Sequence, residues 1–311
     1  MILLTGASGF IGGRAASLLR GRLPDPAALR VLTHRRTAGI EAEYFAADLA
    51  DPASLHGCCD GVETVVHLAS AVEADAATCE AVNVRGTQAL LAEARRAGVR
   101  RIIALSTAAV YGDGPYAGIA EDEVPLAPAS PTSRSRAAAE RAVLTAGGTV
   151  LRPMFVYGPG DMWFIPTLAR ALTRTPVTVN GGRARLSLIS VEDLAKVIAA
   201  LALSPAPPAA STRPRVLHVN HPEPVRVLEL YELLAEHLDV PRPTGDLDYT
   251  DALAFAGPEK ARQVGMVALD RHFDSTRVWR ETGLTAGSLR DRFPACAPWY
   301  RQHLGARTVD R

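Results

Sequence analysis

The sequence predicts an α/β protein: a doubly wound parallel sheet followed by a smaller C-terminal domain. Three observations carry this reading. Short apolar segments alternate with helix-like segments over the first half of the chain. A glycine triplet, Gly6, Gly9 and Gly12, sits between the first apolar segment and the first helix-like one. After Pro153 the alternation gives way to turns punctuated by Gly and Pro.

Taken in order, residues 2–4 read as a short buried strand and 11–19 as the helix behind it. Strands are expected at 30–33, 44–46, 62–68, 101–106 and 150–152, with helices at 81–97 and 137–145. Continuous apolar runs such as Ile102-Ile103-Ala104-Leu105 suit strands covered on both faces. Beyond Pro153, residues 191–203 form a helix and the Pro-rich stretch 204–214 a surface loop. Residues 216–219 return as a strand, and 227–238, 275–282 and 288–303 are helical.

Composition excludes several classes. The chain has 311 residues, 48% hydrophobic and 22% charged, with a net charge of +1, which gives no attraction to nucleic acid or to a membrane surface. No apolar run approaches the roughly 18 residues of a membrane span, and the apolar start is too short for a secretory core. A cytoplasmic protein, monomeric or homodimeric, is expected. The cysteines Cys58, Cys59, Cys79 and Cys296 form no C-x-x-C pair, and His218 with His221 lacks a third ligand, so no metal is expected. Only Lys196 and Lys260 break an otherwise arginine-only set of cations, a bias of GC-rich bacterial genomes.

The glycine loop carries chemistry. Gly6 permits a tight turn, Gly9 lets a pyrophosphate approach the backbone, and Gly12 allows close helix–strand packing. Ser8, Phe10 and Ile11 complete a helix N-terminus whose free N–H groups attract an anion. Strand, glycine loop and helix in this order are the dinucleotide-binding Rossmann arrangement. The second strand ends without the acid that binds an NAD ribose and offers Arg35 and Arg36 instead, which suit a 2′-phosphate. The expected cofactor is NADPH/NADP, with NADH disfavoured.

With these motifs the chain resembles the extended short-chain dehydrogenase/reductase family, which includes sugar-nucleotide epimerases and dehydratases. The likeness covers TGASGFIG at 5–12, ADL at 47–49, HLA at 67–69, NVRGT at 83–87, STAAVYG at 106–112, LRP at 151–153, VYGPG at 156–160 and VEDLA at 191–195. The resemblance implies a cofactor domain of residues 1–157 and 184–221, and a substrate-binding domain of 158–183 and 222–311. It places Asp48 and Leu49 beside the adenine and Leu68, Ala69, Ser70 and Asn83 along the cofactor's middle. Met154, Phe155 and Val156 would meet the nicotinamide amide, Pro153 would also bind the cofactor, and Thr107 would take the catalytic Ser/Thr position.

The chain departs from the family at Tyr-x-x-x-Lys: aligning Ser135 and the Ala-Ala-Ala-Glu run puts Thr132 in the Tyr position and Arg136 in the Lys position. A Thr hydroxyl is a far weaker acid than a phenol, and Arg136 can bind ribose hydroxyls but cannot release a proton near neutrality. Ala108-Ala109 replaces the dehydratase acid pair. The resemblance therefore implies ketone reduction without the usual acid, with Thr107, Thr132 and Arg136 as the catalytic set. A small-molecule ketone of aromatic polyketide (angucyclinone) type would supply its own proton from a neighbouring phenol. The alternatives are a non-catalytic NADP-binding sensor and a sugar-nucleotide-modifying enzyme. Tyr111 and Tyr157 are expected to be packed, with a substitute-acid role as the alternative; Tyr116 is expected in an exposed loop, with a place over the pocket as the alternative, Glu121–Glu123 in a solvated turn, and Arg183 and Arg185 either at a hairpin tip or gripping an anionic substrate.

Overall fold

The apolar segments assemble into a seven-stranded sheet in which every pair is parallel. The computed structural model describes residues 1–34, 36–72, 74–205 and 215–306. Across the sheet the order is Arg215–His218, Thr149–Arg152, Arg101–Leu105, Thr64–His67, Ile2–Thr5, Leu29–Thr33 and Glu43–Ala46. Ile2–Thr5, Thr64–His67 and Thr149–Arg152 are buried at every position, as strands covered by helices on both faces must be. The chain winds outward in opposite directions from Ile2–Thr5, so a crevice opens at its C-terminal end, between it and Thr64–His67. The glycine loop lies there.

On one face the first helix, Phe10–Arg22, packs on Val191–Leu203 through Ala15, Ala16, Leu19, Leu194 and Ile198. On the other, Thr87–Arg96 packs beside Pro131–Thr145. This second helix begins six residues before the sequence-predicted 137. Pro131 opens it, and Ser130 and Ser133 form a reciprocal capping box that satisfies its first N–H groups. Thr132 and Arg136 thereby stand on the helix, one turn apart. The helix expected at 81–97 starts at Ala76, capped by Asp75, and runs through a π-wound stretch, Glu80–Gly86, before Thr87–Arg96.

The irregular region after Pro153 has a core of its own around Tyr157, Phe164, Leu186, Leu230, Phe293 and Tyr300. A mixed four-stranded sheet, Val225–Arg226, Arg185–Leu186, Arg271–Phe273 and Tyr116–Ile119, backs it. Two parallel pairs complete it: Phe155–Tyr157 with Leu188–Ser190, and Val177–Val179 with Gly245–Leu247. Of the expected Pro-rich loop, residues 206–214 lie outside the described residues.

Burial also fixes an acid response. His67, His218 and His221 are all enclosed, and desolvation holds each imidazole down to about 4 from an ordinary 6.5. The unfolded chain binds more protons than the folded one between those values, so stability is complete above pH 6.5 and drains away as pH falls toward 4. The urea midpoint should drop over that window with linked proton uptake. A midpoint flat from pH 6.5 to 5, above the range of ordinary carboxylates, would refute this.

Candidate active site

The glycine loop is sterically exacting. Gly6 has φ +77°, and a Cβ there would stand 2.6 Å from the Ala69 nitrogen; one on Gly12 would stand 2.0 Å from the Gly6 carbonyl oxygen. A Cβ on Gly9 meets only that same oxygen, at 3.3 Å, so Gly9 borders open space. Gly9 caps the first helix with no side-chain hydrogen bond, and the first turn holds no acid. The Gly13 amide donates to Gly9, which leaves the Phe10, Ile11 and Gly12 amides facing the crevice. An uncapped, acid-free helix start beside a glycine cradle fits a pyrophosphate.

At the end of the second strand, His34 Nε2 lies 3.2 Å from an Asp48 carboxylate oxygen, and the other oxygen accepts the Ala50 amide at 2.9 Å. Leu49 is buried, and a Cβ on Gly86 would meet its carbonyl oxygen at 2.5 Å. Arg36 is exposed, with no ion-pair partner among the described residues; Arg35 lies outside them.

The middle of the crevice is held by a buried chain of hydrogen bonds. Thr87 donates to the Asn83 carbonyl at 2.6 Å, so its oxygen is left to accept from His67 Nε2–H at 2.9 Å. His67 Nδ1 then accepts the Thr5 hydroxyl at 2.7 Å, and Thr5 accepts the Ala69 amide at 3.2 Å. The network assigns one neutral tautomer to His67. Asn83 accepts from the Ala71 amide and the Ser70 hydroxyl and donates to Ser135 at 2.9 Å. The segment Leu68–Ser70 is thus tied to the helix that bears Thr132 and Arg136.

Arg136 donates from Nη1 to the Ser106 carbonyl at 3.0 Å, while its Nε and the Ser106 hydroxyl are both buried without a partner. They face a small cavity shared with His67, Ser70 and Asn83. Orphaned buried donors in this place fit a polyhydroxylated ligand such as a cofactor ribose. Thr107, half-buried, accepts the Ala109 amide at 3.1 Å, and the Ala108 amide donates to the Pro153 carbonyl at 2.8 Å. The structure therefore brings Thr107, Arg136 and the segment Pro153–Val156 together. Thr132 Oγ1 has a thiol for its neighbour, Cys79 Sγ at 3.9 Å.

The helix register is fixed independently. Glu140, one turn past Arg136, makes a buried ion pair with Arg152, whose Nη1 donates to Tyr111 at 2.8 Å. Tyr111 is fully buried, 2.7 Å from His218 Nε2, and Tyr157 is fully buried against His221 at 3.1 Å. Burial raises both phenols: Tyr111 to about 12, Tyr157 further. Both are packed, as expected.

Two expectations need correction. Tyr116 belongs to the strand Tyr116–Ile119 and donates to the Tyr111 carbonyl, because the Arg271–Phe273 strand pairs with it. Glu121 is no merely solvated acid, since its carboxylate accepts the His218 amide at 3.0 Å. Arg183 and Arg185 are exposed.

Beside Met154 and Val156 opens a cavity of about 470 Å³, lined by Phe10, Phe155, Gly160, Asp161, Met162, Trp163 and Phe164. Its one charged residue, Asp161, is turned away to structure: it accepts the Trp163, Phe164 and Ile165 amides and the Tyr300 hydroxyl. Asn220 positions the same wall by accepting the Met154 amide at 2.9 Å. The sequence reading missed this wall, although Asp161 followed by Met162-Trp163-Phe164 carries its signature: an acid poised to cap a helix beside large apolar residues.

The NAD-dependent epimerase/dehydratase family model matches residues 2–212, and the chain belongs to that family. It is 28% identical over 257 residues to the 2-alkyl-3-oxoalkanoate reductase of Stenotrophomonas maltophilia, covering 78% of this chain and 76% of the relative. It is 30% identical over 270 residues to the 4-hydroxy-2-methyl-3-oxo-4-farnesyl-3,4-dihydroquinoline-1-oxide ketoreductase of Stigmatella aurantiaca, covering 81% and 78%. Among solved structures, MoeE5 in complex with UDP-glucose and NAD aligns with a TM-score of 0.75 and 25% identity, over 97% of this chain and 99% of that one. Fold, family and relatives together define an NAD(P)-dependent oxidoreductase.

Proposed function

We propose that the protein is an NADPH-dependent ketoreductase for an apolar, aromatic ketone of the angucyclinone type. The observation that carries this reading is the lining of the cavity beside Met154 and Val156. It presents thioethers, an indole and phenyl rings, no cation, and one carboxylate already consumed by capping. A sugar nucleotide brings a diphosphate that needs cations or free amides; a fused aromatic ketone needs flat apolar walls. The two ketone-reducing relatives support the same choice.

In this reading residues 158–183 and 222–311 shape the substrate side. Bound NADPH would supply the hydride. Thr107 would donate its hydroxyl to the substrate carbonyl, and Arg136 with Ser106 would hold the ribose that their unpartnered atoms face. As the carbonyl π bond opens, its oxygen takes a proton from the adjacent phenol of the same substrate, and the phenolate is reprotonated by water. Thr132, beside an apolar thiol, would position substrate and transfer nothing.

The test is NADPH consumption, followed by its near-ultraviolet absorbance, against phenolic ketones and sugar nucleotides in parallel. Turnover confined to the ketones is expected. Turnover of sugar nucleotides alone would overturn the proposal, and NADPH binding without turnover of any ketone would favour the sensor.

The cofactor choice is tested separately. Arg36, just past the second strand, is exposed and has no ion-pair partner among the described residues, and it follows Arg35 in sequence, a pair of cations that suits a 2′-phosphate. Changing both to Ala should remove most of a preference for NADPH, on the order of 1.5–3 kcal/mol for charged hydrogen bonds. Calorimetry showing equal NADPH and NADH affinities in the unaltered protein would refute it.

A further inference from the structure

A second cavity, of about 450 Å³, lies between the helices Phe164–Arg174, Tyr249–Ala256 and Ala261–Ala268 and the strand Val177–Val179. It shares no lining residue with the cavity at Met154. Its walls are apolar: Leu168, Val177, Val179, Leu247, Val264 and Val267. Two features are out of keeping with a packing defect.

The first is Tyr231, which lines the cavity at 5% exposure and whose hydroxyl makes no hydrogen bond within the protein among the described residues. That hydroxyl is not among the buried unpartnered atoms, so it opens onto the cavity and is free to bond an oxygen of an occupant. The second is charge. Arg170, Arg174 and Lys260 stand at the rim, all exposed and none in an ion pair among the described residues, next to Phe255 at 71% exposure.

We propose that this cavity is a second small-molecule site, which takes a free amphiphilic carboxylate. The anion meets Arg170, Arg174 and Lys260, the chain fills the apolar interior, and an oxygen at its inner end pairs with Tyr231. Tyr231 supplies the selectivity, because a ligand without that oxygen leaves the phenol unpaired.

Calorimetry on the full chain with NADPH present tests this with decanoate and 10-hydroxydecanoate as probes. The hydroxy acid should bind saturably and about tenfold more tightly than decanoate, the ratio expected for one buried hydrogen bond. Tyr231→Phe should erase that ratio, and Arg170→Ala, Arg174→Ala and Lys260→Ala together should weaken both probes about tenfold or more. Val264→Trp, checked for native circular dichroism, should abolish binding while leaving NADPH affinity unchanged. The proposal is overturned if neither acid binds saturably, if the triple variant or folded Val264→Trp binds as before, or if only phosphatidylglycerol vesicles bind.

Discussion

Methylating the phenol beside the ketone should slow reduction sharply, by up to the ~10²–10⁴-fold that a true general acid contributes, while Thr132→Ala retains much of the activity. The structure sharpens the reason. Tyr111 and Tyr157 are sealed in buried networks with His218 and His221, and Arg136 is held by the Ser106 carbonyl. Among the described residues the hydroxyl of Thr132 has the Cys79 thiol as its polar neighbour, at 3.9 Å. Thr107 lies half-open next to the Pro153 segment, so Thr107→Ala should cost more than Thr132→Ala. Stopped-flow measurement of the chemical step with parent and methylated ketone decides it. Equal rates for the two ketones, with Thr132→Ala dead, would make Thr132 the acid through a bound water.

Gly9→Val should abolish NADPH binding and leave the fold intact. The three loop glycines differ here. A side chain on Gly6 or Gly12 would drive into backbone at 2.6 or 2.0 Å, so those positions hold the loop itself together. Gly9 has an extended backbone, φ −88° and ψ 173°, which valine adopts readily, and its Cβ meets one oxygen at 3.3 Å. The added methyls would occupy the space in front of the Phe10, Ile11 and Gly12 amides where the pyrophosphate must come. Fluorescence titration with NADPH, alongside thermal unfolding, separates the two effects. Native stability with undiminished binding would reduce the loop to a structural turn.

The cofactor half was largely legible because its signals are local. Inner strands of the large sheet such as Ile2–Thr5 and Arg101–Leu105 are built on short apolar runs, and the Gly12 position answers to a clash with Gly6 within its own loop. Helix starts were less legible: Pro131 and Ser130 announce a cap, but the polar run after them masked it. The half beyond Pro153 resisted reading for a different reason. Its strands are two to four residues long, too short to show a period, and they pair with partners far along the chain, such as Arg271–Phe273 with Tyr116–Ile119. The helices Phe164–Arg174, Tyr249–Ala256 and Ala261–Ala268 escaped for similar reasons, lying among Gly and Pro punctuation. Within the site, the departure at Thr132 and Arg136 was plain in the sequence. The orphaned Ser106 hydroxyl and the Met162-Trp163 wall needed three dimensions.

The last long helix, Leu289–Ala306, reaches back through Tyr300 to Asp161, in the wall of the cavity beside Met154. Tyr300 accepts the Gly158 amide at 2.7 Å and donates to Asp161 at 2.9 Å, the carboxylate that gathers the Trp163, Phe164 and Ile165 amides. In the proposed reading the beginning of the chain holds the coenzyme, and its far end braces the wall against which the ketone would lie. A library confined to residues near Tyr300 would be expected to shift which ketones are accepted and leave coenzyme affinity where it was.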